Sequence, residues 1–217
     1  MLGERVSGDV YAAVYDLLAR VFLYGPSSDS CAEFLGCSGF YFSLESINST
    51  WPVSVKALLE RSQAKRTSVR KAYLECLVIP VKGCYVSPYA STYLDGGVLW
   101  GPSTTEVVRC YEAEGLFWNK GWSRGVDGSN AVPIVAPDHL GVELAFLAVI
   151  SARASARWSS TAREERICSF LQHVTRWLPK LVEALFSCDP TKVLADWTGW
   201  TMEVVTADTQ RHTMRTS

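Results

Sequence analysis

Val10, Val14, Leu17, Leu18, Val21 and Phe22 recur at spacings of three and four, which places them on one face of a helix that needs a partner to bury it. Gly25 and Pro26 end that helix. The same period returns in Val55, Leu58 and Leu59 behind Pro52, in Val107, Val108 and Tyr111 behind Ser103 or Thr104, and in Leu140, Leu144, Leu147 and Ile150 behind Pro137. Ile167, Phe170, Leu171, Val174 and Leu178 follow a Thr161-Ala-Arg-Glu164 capping pattern, and Pro179 is expected to kink or restart that helix. Asp189-Pro190 should open a last helix carrying Leu194, Trp197 and Val204. A short helix is expected near Ser30 to Leu35, whereas Gly36 to Thr50 reads as loop. No alternating strand or hairpin turn interrupts the pattern, so the expected fold is an all-α helical bundle. Its 217 residues suit one domain over 1–217, with the Gly/Ser/Asn-rich stretch 119–130 as a candidate hinge connector.

Composition excludes several classes. An apolar share of 48% against 20% charged residues can build a full core, which rules out disorder. A net charge of -1 supplies no field for a phosphate backbone, so nucleic acid is not expected as a partner. The longest apolar run, Leu140 to Ile150, is about half of the ~20 residues that span a bilayer and contains Glu143, so no stable membrane insertion is expected. The polar opening lacks the features of a secretory leader, and seven cysteines without a C-x-x-C pair suit reduced thiols; both point to the cytoplasm. Cys31 and Cys37 lie too far apart for a zinc pair. Phosphate-cradling glycine loops, a nucleophile elbow and the H-E-x-x-H order are all missing.

From Pro80 to Pro102 the helical period vanishes among Pro80, Gly83, Pro88, Gly96, Gly97 and Gly101, which predicts a long loop bearing Tyr85, Tyr89, Tyr93 and Trp100. Those aromatics either face a partner or staple the loop to the core. The basic residues Lys65, Arg66, Arg70 and Lys71 just before it read as a solvated face.

The stretch APDHLGVELAFLAVI, Ala136 to Ile150, sets an Asp, a His and a Glu at the mouth of an apolar helix. Asp138 is favoured there by the helix dipole alone. His139 and Glu143 stand four apart, where an imidazole can bond a carboxylate and gain proton affinity. A metal held by His139, Glu143 and His173 is an alternative, which would make the chain a metal-dependent hydrolase. No nucleophile or oxyanion donor accompanies them, so the expectation is binding without catalysis, and no cofactor.

PDHLGVELAFLA, Pro137 to Ala148, resembles the signature helix of the TorD/DmsD/NarJ-like chaperones of redox-enzyme maturation. AYLECLVIP, SPYASTYLD, GPSTTEVVRCYEAEGL and FLQHVTRWLPKLVEAL are similar to further segments of that family, in the same order; Leu77, Ala90 and Ile79-Pro80 depart from its pattern. The resemblance implies an all-helical cytoplasmic chaperone. It would bind the twin-arginine signal peptide and the apo catalytic subunit of a molybdopterin oxidoreductase, holding it for cofactor insertion before export. Tyr73, Leu77, Tyr89 and Tyr93 would line a surface groove, with Gly101 beside them. Asp138 and Glu143 would face the arginines, and His139 would orient them and make affinity vary near pH 6 to 7. The connector would also allow a homodimer made by exchanging the C-terminal helices, and the sequence leaves monomer and swapped dimer both open. The rival reading is a helical adaptor or oligomerisation module whose aromatic loop docks a folded partner.

Overall fold

A computed structural model describes residues 2–117, 136–154 and 161–216. The connector 119–130 lies outside the described residues. Among them the fold is all-α, with ten α-helices and no strand. In chain order these are α1 (Leu2–Tyr24), α2 (Asp29–Ala32), α3 (Ser38–Glu45), α4 (Trp51–Ala64), α5 (Arg66–Tyr73), α6 (Ala90–Leu94), α7 (Pro102–Ala113), α8 (Leu140–Ala154), α9 (Thr161–Cys188) and α10 (Val193–Thr216). A 3-10 turn follows α2 and a π-helical turn, Leu74–Val78, follows α5.

Helix α8 is apolar almost all round, and a helix with that pattern belongs inside. Leu140, Leu144, Phe146, Leu147 and Ile150 are all fully buried. The periodic face of α1 covers α8, α9 packs beside it, and α10 packs along α9. Helices α1 and α8 come close at Gly141, where a Cβ would stand 2.6 Å from Leu23 Cγ and 3.2 Å from the Leu23 backbone nitrogen. Gly141→Ala is therefore expected to destabilise by about 1–3 kcal/mol through overpacking. Its sign is opposite to the gain that alanine usually brings to a helix interior. Urea denaturation of the variant reads the difference, and a stabilised variant would mean the two helices can part.

Polar ties fasten the bundle. Tyr15 donates to the buried Asp208 carboxylate at 2.9 Å, joining α1 to α10, and the Trp197 indole donates to Ser62 Oγ at 3.0 Å, joining α10 to α4. All seven cysteines are free thiols. No described helix is long and apolar enough to cross a membrane.

Several local expectations are corrected. Part of 36–50 is helical: Phe40 and Leu44, one turn apart on α3, are both buried, and the Phe40 ring meets Phe34 edge-on at 5.1 Å. The long loop contains α6. Pro179 does not restart the helix, since α9 runs through it. An interior proline costs about 3 kcal/mol, yet burying Trp177, Leu178, Leu181 and Leu185 on the same helix stabilises by roughly 1.5–3 kcal/mol per side chain. Asp189 caps α10 from a preceding turn, accepting from the Leu194 amide at 2.7 Å and the Ala195 amide at 3.3 Å. Pro137 stands outside α8, which begins only at Leu140.

Candidate functional site

Helix α8 starts late because the chain before it is tied to the loop that precedes α6. Tyr89 and His139 form an isolated antiparallel bridge: the Ala90 amide donates to the Asp138 carbonyl and the Leu140 amide to the Pro88 carbonyl, both at 2.9 Å. Each side chain of the Asp138-His139 pair then caps a different helix. The Asp138 carboxylate accepts from the Ser91 amide at 2.9 Å in the first turn of α6. His139 Nδ1 accepts from the Gly141 amide at 3.0 Å in the first turn of α8, while its ring stands edge-on to Tyr89 with centroids 5.2 Å apart. The Tyr111 hydroxyl closes the knot from α7 by donating to the Pro137 carbonyl at 2.8 Å.

One turn into α8, Glu143 turns the other way. Its Oε1 lies 3.0 Å from His173 Nε2 on α9, behind a wall formed by Tyr111, Phe146 and Phe170. Burial pushes the Glu143 carboxyl up, and His173 only partly offsets that. Burial also disfavours charge on His173, but the Glu143 carboxylate outweighs it and leaves the imidazole above its ordinary range. Nothing offsets burial at His139, whose pKa is held down to about 3, so its ring is neutral. Among the described residues Asp138 Oδ1 and His173 Nδ1 find no hydrogen-bond partner.

Beyond α6 the same loop is closed by a second clamp. Asp95 accepts from the Ser103 amide at 3.0 Å and from its hydroxyl at 2.5 Å. Gly101 lies against this clamp, where a Cβ would come within 2.7 Å of Asp95 Cβ. Gly96, Gly97 and Trp100 all adopt positive φ, at 69°, 89° and 64°. The result is a tip on which Val98, Leu99 and Trp100 are 59%, 50% and 60% exposed. Three adjacent large apolar side chains in water are a mark of a contact surface.

The family described as nitrate reductase delta subunit matches residues 45–183. This chain belongs to that family. Its members are assembly chaperones of molybdoenzymes, which agrees with the resemblance carried by Pro137 to Ala148. Comparison with curated proteins finds no match. The matched span holds the knot, the clamp and the apolar tip.

In this delta-subunit family member the eight expected site residues lie together only in part, and they do not form an open groove. Tyr73 and Leu77 are core residues; the Tyr73 hydroxyl donates to the Phe22 carbonyl at 3.1 Å and its ring packs on Gly25. Tyr89 and Tyr93 are half-buried, and Tyr93 stacks on Trp177 at 5.7 Å while donating to the Ser87 carbonyl. Gly101 is buried as the N-cap of α7. Asp138 and Glu143 are fully enclosed and His139 nearly so, which corrects the expectation that carboxylates face outward there. The His139-Glu143 bond is not formed either. Four-residue neighbours meet only when both stand in the helix, and His139 is a cap whose ring turns to Tyr89. Held near 3 by burial, His139 itself does not change charge between pH 6 and 7. His173, which the sequence offered only as a third metal ligand, is the partner Glu143 takes; among the described residues no three such side chains converge as metal ligands. The loop's composition singles out Trp100, whereas Val98 and Leu99 emerge as exposed only in the structure. Their signal was a run of large apolar residues between Gly96-Gly97 and Gly101-Pro102.

Proposed function

We propose that this chaperone works in the cytoplasm on a molybdenum-cofactor oxidoreductase, gripping the twin-arginine leader of its catalytic subunit until the cofactor is in place. The observation that carries the reading is the clamped apolar tip Val98-Leu99-Trp100. Such a leader joins two arginines to an apolar stretch able to fold as a helix, and an apolar helix face is taken up by exposed aliphatic and aromatic anchors. A tip already fixed by Asp95 and Ser103 loses little freedom on binding. The arginines fall to exposed carboxylates on α7, of which Glu106 is the first after the tip. Asp138 and His139 act from inside, since their caps on α6 and α8 set the position of the loop. Ordering a flexible leader consumes about 2–5 kcal/mol of the interaction, so the grip is modest and reversible, as release of a client requires.

Calorimetry with a twin-arginine leader peptide tests this. Trp100→Ala is expected to weaken binding about tenfold or more, the effect of removing an anchor worth at least ~1.4 kcal/mol. Glu106→Gln should flatten the salt dependence. Undiminished leader binding by a folded Trp100→Ala variant would remove the tip from the site. The exposed ridge also suits an adaptor that docks a folded partner, and that reading wins if the leader fails to bind while the mature subunit is retained through Trp100.

A further inference from the structure

Away from the knot, an open furrow of about 450 Å³ runs along α5 and the π-helical turn that follows it, lined in chain order by Arg66, Arg70, Lys71, Leu74, Glu75 and Ile79. As a run of charge these cations read as a solvated face, and the proposed leader site makes no use of them. The local fold gathers them for a reason. Val69, Ala72 and Tyr73 bury one side of α5, which forces its basic residues to the opposite side. The π-helical turn then interrupts the regular helix, a feature found often at functional sites. It ends with the Ile79 amide donating to the Leu74 carbonyl at 2.7 Å, which leaves Ile79 half in water at 51% exposure.

The charges lining the furrow are three cations against one carboxylate, in a protein whose formal net charge is -1. Arg66 bonds Asp29 at 2.8 Å and Lys71 reaches Glu75 only at 3.8 Å; both pairs are exposed, and such pairs hold their members weakly. Arg70 has no carboxylate partner among the described residues. A furrow that sets the aliphatic Leu74 and Ile79 beside three cations is complementary to one chemistry: carboxylates next to an aliphatic side chain.

We propose that this furrow docks a short acidic amphipathic segment of a partner polypeptide, its aliphatic side chain on Leu74 and Ile79 and its carboxylates on Arg70 and Lys71. The twin-arginine leader is excluded from it by like charge, so the proposal stands apart from the leader site and does not depend on it. An anionic bilayer suits the furrow less well. A flat layer of lipid phosphates meets the three cations but also brings phosphate against Glu75.

Fluorescence anisotropy decides the matter, using a fluorescein-labelled helical peptide that carries Glu-Leu-Leu-Glu repeats and a second peptide with every Glu replaced by Lys. The acidic peptide is expected to bind at least tenfold more tightly than the basic one, with affinity falling as salt rises. Arg70→Glu with Lys71→Glu, both on the surface, should abolish that preference without moving the unfolding midpoint or the affinity for a twin-arginine leader. Ile79→Ser should weaken the acidic peptide at constant salt dependence, because only the aliphatic contact has changed and no charge has. The proposal is overturned by equal binding of the two peptides, by absence of saturable binding, or by an unaffected double variant. Capture on phosphatidylglycerol vesicles through Arg70 and Lys71, in preference to the peptide, overturns it in favour of a membrane contact.

Discussion

Glu143→Ala is expected to cost about 3–5 kcal/mol of folding stability, the range for removing one member of a buried ion pair. Glu143 is fully enclosed and its bond to His173 joins the two central helices α8 and α9 at 3.0 Å. Alanine would leave His173 buried without the carboxylate that stabilises its charge. Replacing both members by leucine removes the two desolvation penalties together, so Glu143→Leu with His173→Leu should recover most of the loss. Chemical denaturation of both single leucine variants and the double variant completes a cycle whose coupling energy isolates the bond. The pH trend has a definite sign, because both groups sit above their ordinary values in the fold. The folded state then holds protons more tightly. The His173 contribution is fully present below its unfolded pKa, about 6.5, and is lost as pH rises through the folded value. A loss under 1 kcal/mol on Glu143→Ala, with no coupling in the cycle, would show that packing alone joins α8 to α9.

His139 should produce the opposite trend. Its pKa is depressed to about 3 by burial, so its contribution is present above the unfolded value near 6.5 and is lost as pH falls toward 3. Between pH 7 and pH 5 this amounts to roughly 2 kcal/mol, since the unfolded chain gains a proton that the folded chain refuses. His139→Asn keeps a side-chain acceptor for the Gly141 amide and cannot titrate, so it separates the cap from the charge. Urea denaturation at the two pH values should find the wild-type protein losing roughly 2 kcal/mol more than the variant on acidification. Equal losses would mean that the imidazole reaches water, and the knot around Asp138 and Tyr89 would have to be open in solution.

The two predictions divide the Asp-His-Glu cluster into parts that work separately. Asp138 and His139 are caps that hold a loop against the start of α8, and Glu143 is a brace between helices. The side chains that stand in water are others, the Val98-Leu99-Trp100 tip and the basic furrow, and it is there that the proposed leader and acidic-segment contacts are placed.

Much of this was legible without any structure. Spacings of three and four placed Val14, Leu18, Leu147 and Leu178 in the core, where all four are fully buried, because amphipathic periodicity is a local property that survives packing. Gly25 and Gly115, both at positive φ, stop α1 and α7 where the chain signals it. The order of motifs from Tyr73 onward pointed to the family whose match spans 45–183.

What residue spacing could not decide was the partner of each buried polar group. Glu143 had a histidine four residues before it and chose one 30 residues after it, and His139 turned instead to Tyr89 and Gly141. Those choices follow from how α8 and α9 pack and from a loop that crosses back over the start of α8. The same long-range burial carries α9 through Pro179 and gives Phe40 and Leu44 a reason to be helical. Apolar pattern depends on near neighbours, whereas an imidazole or carboxylate taken out of water must accept whichever partner the assembled bundle brings to it.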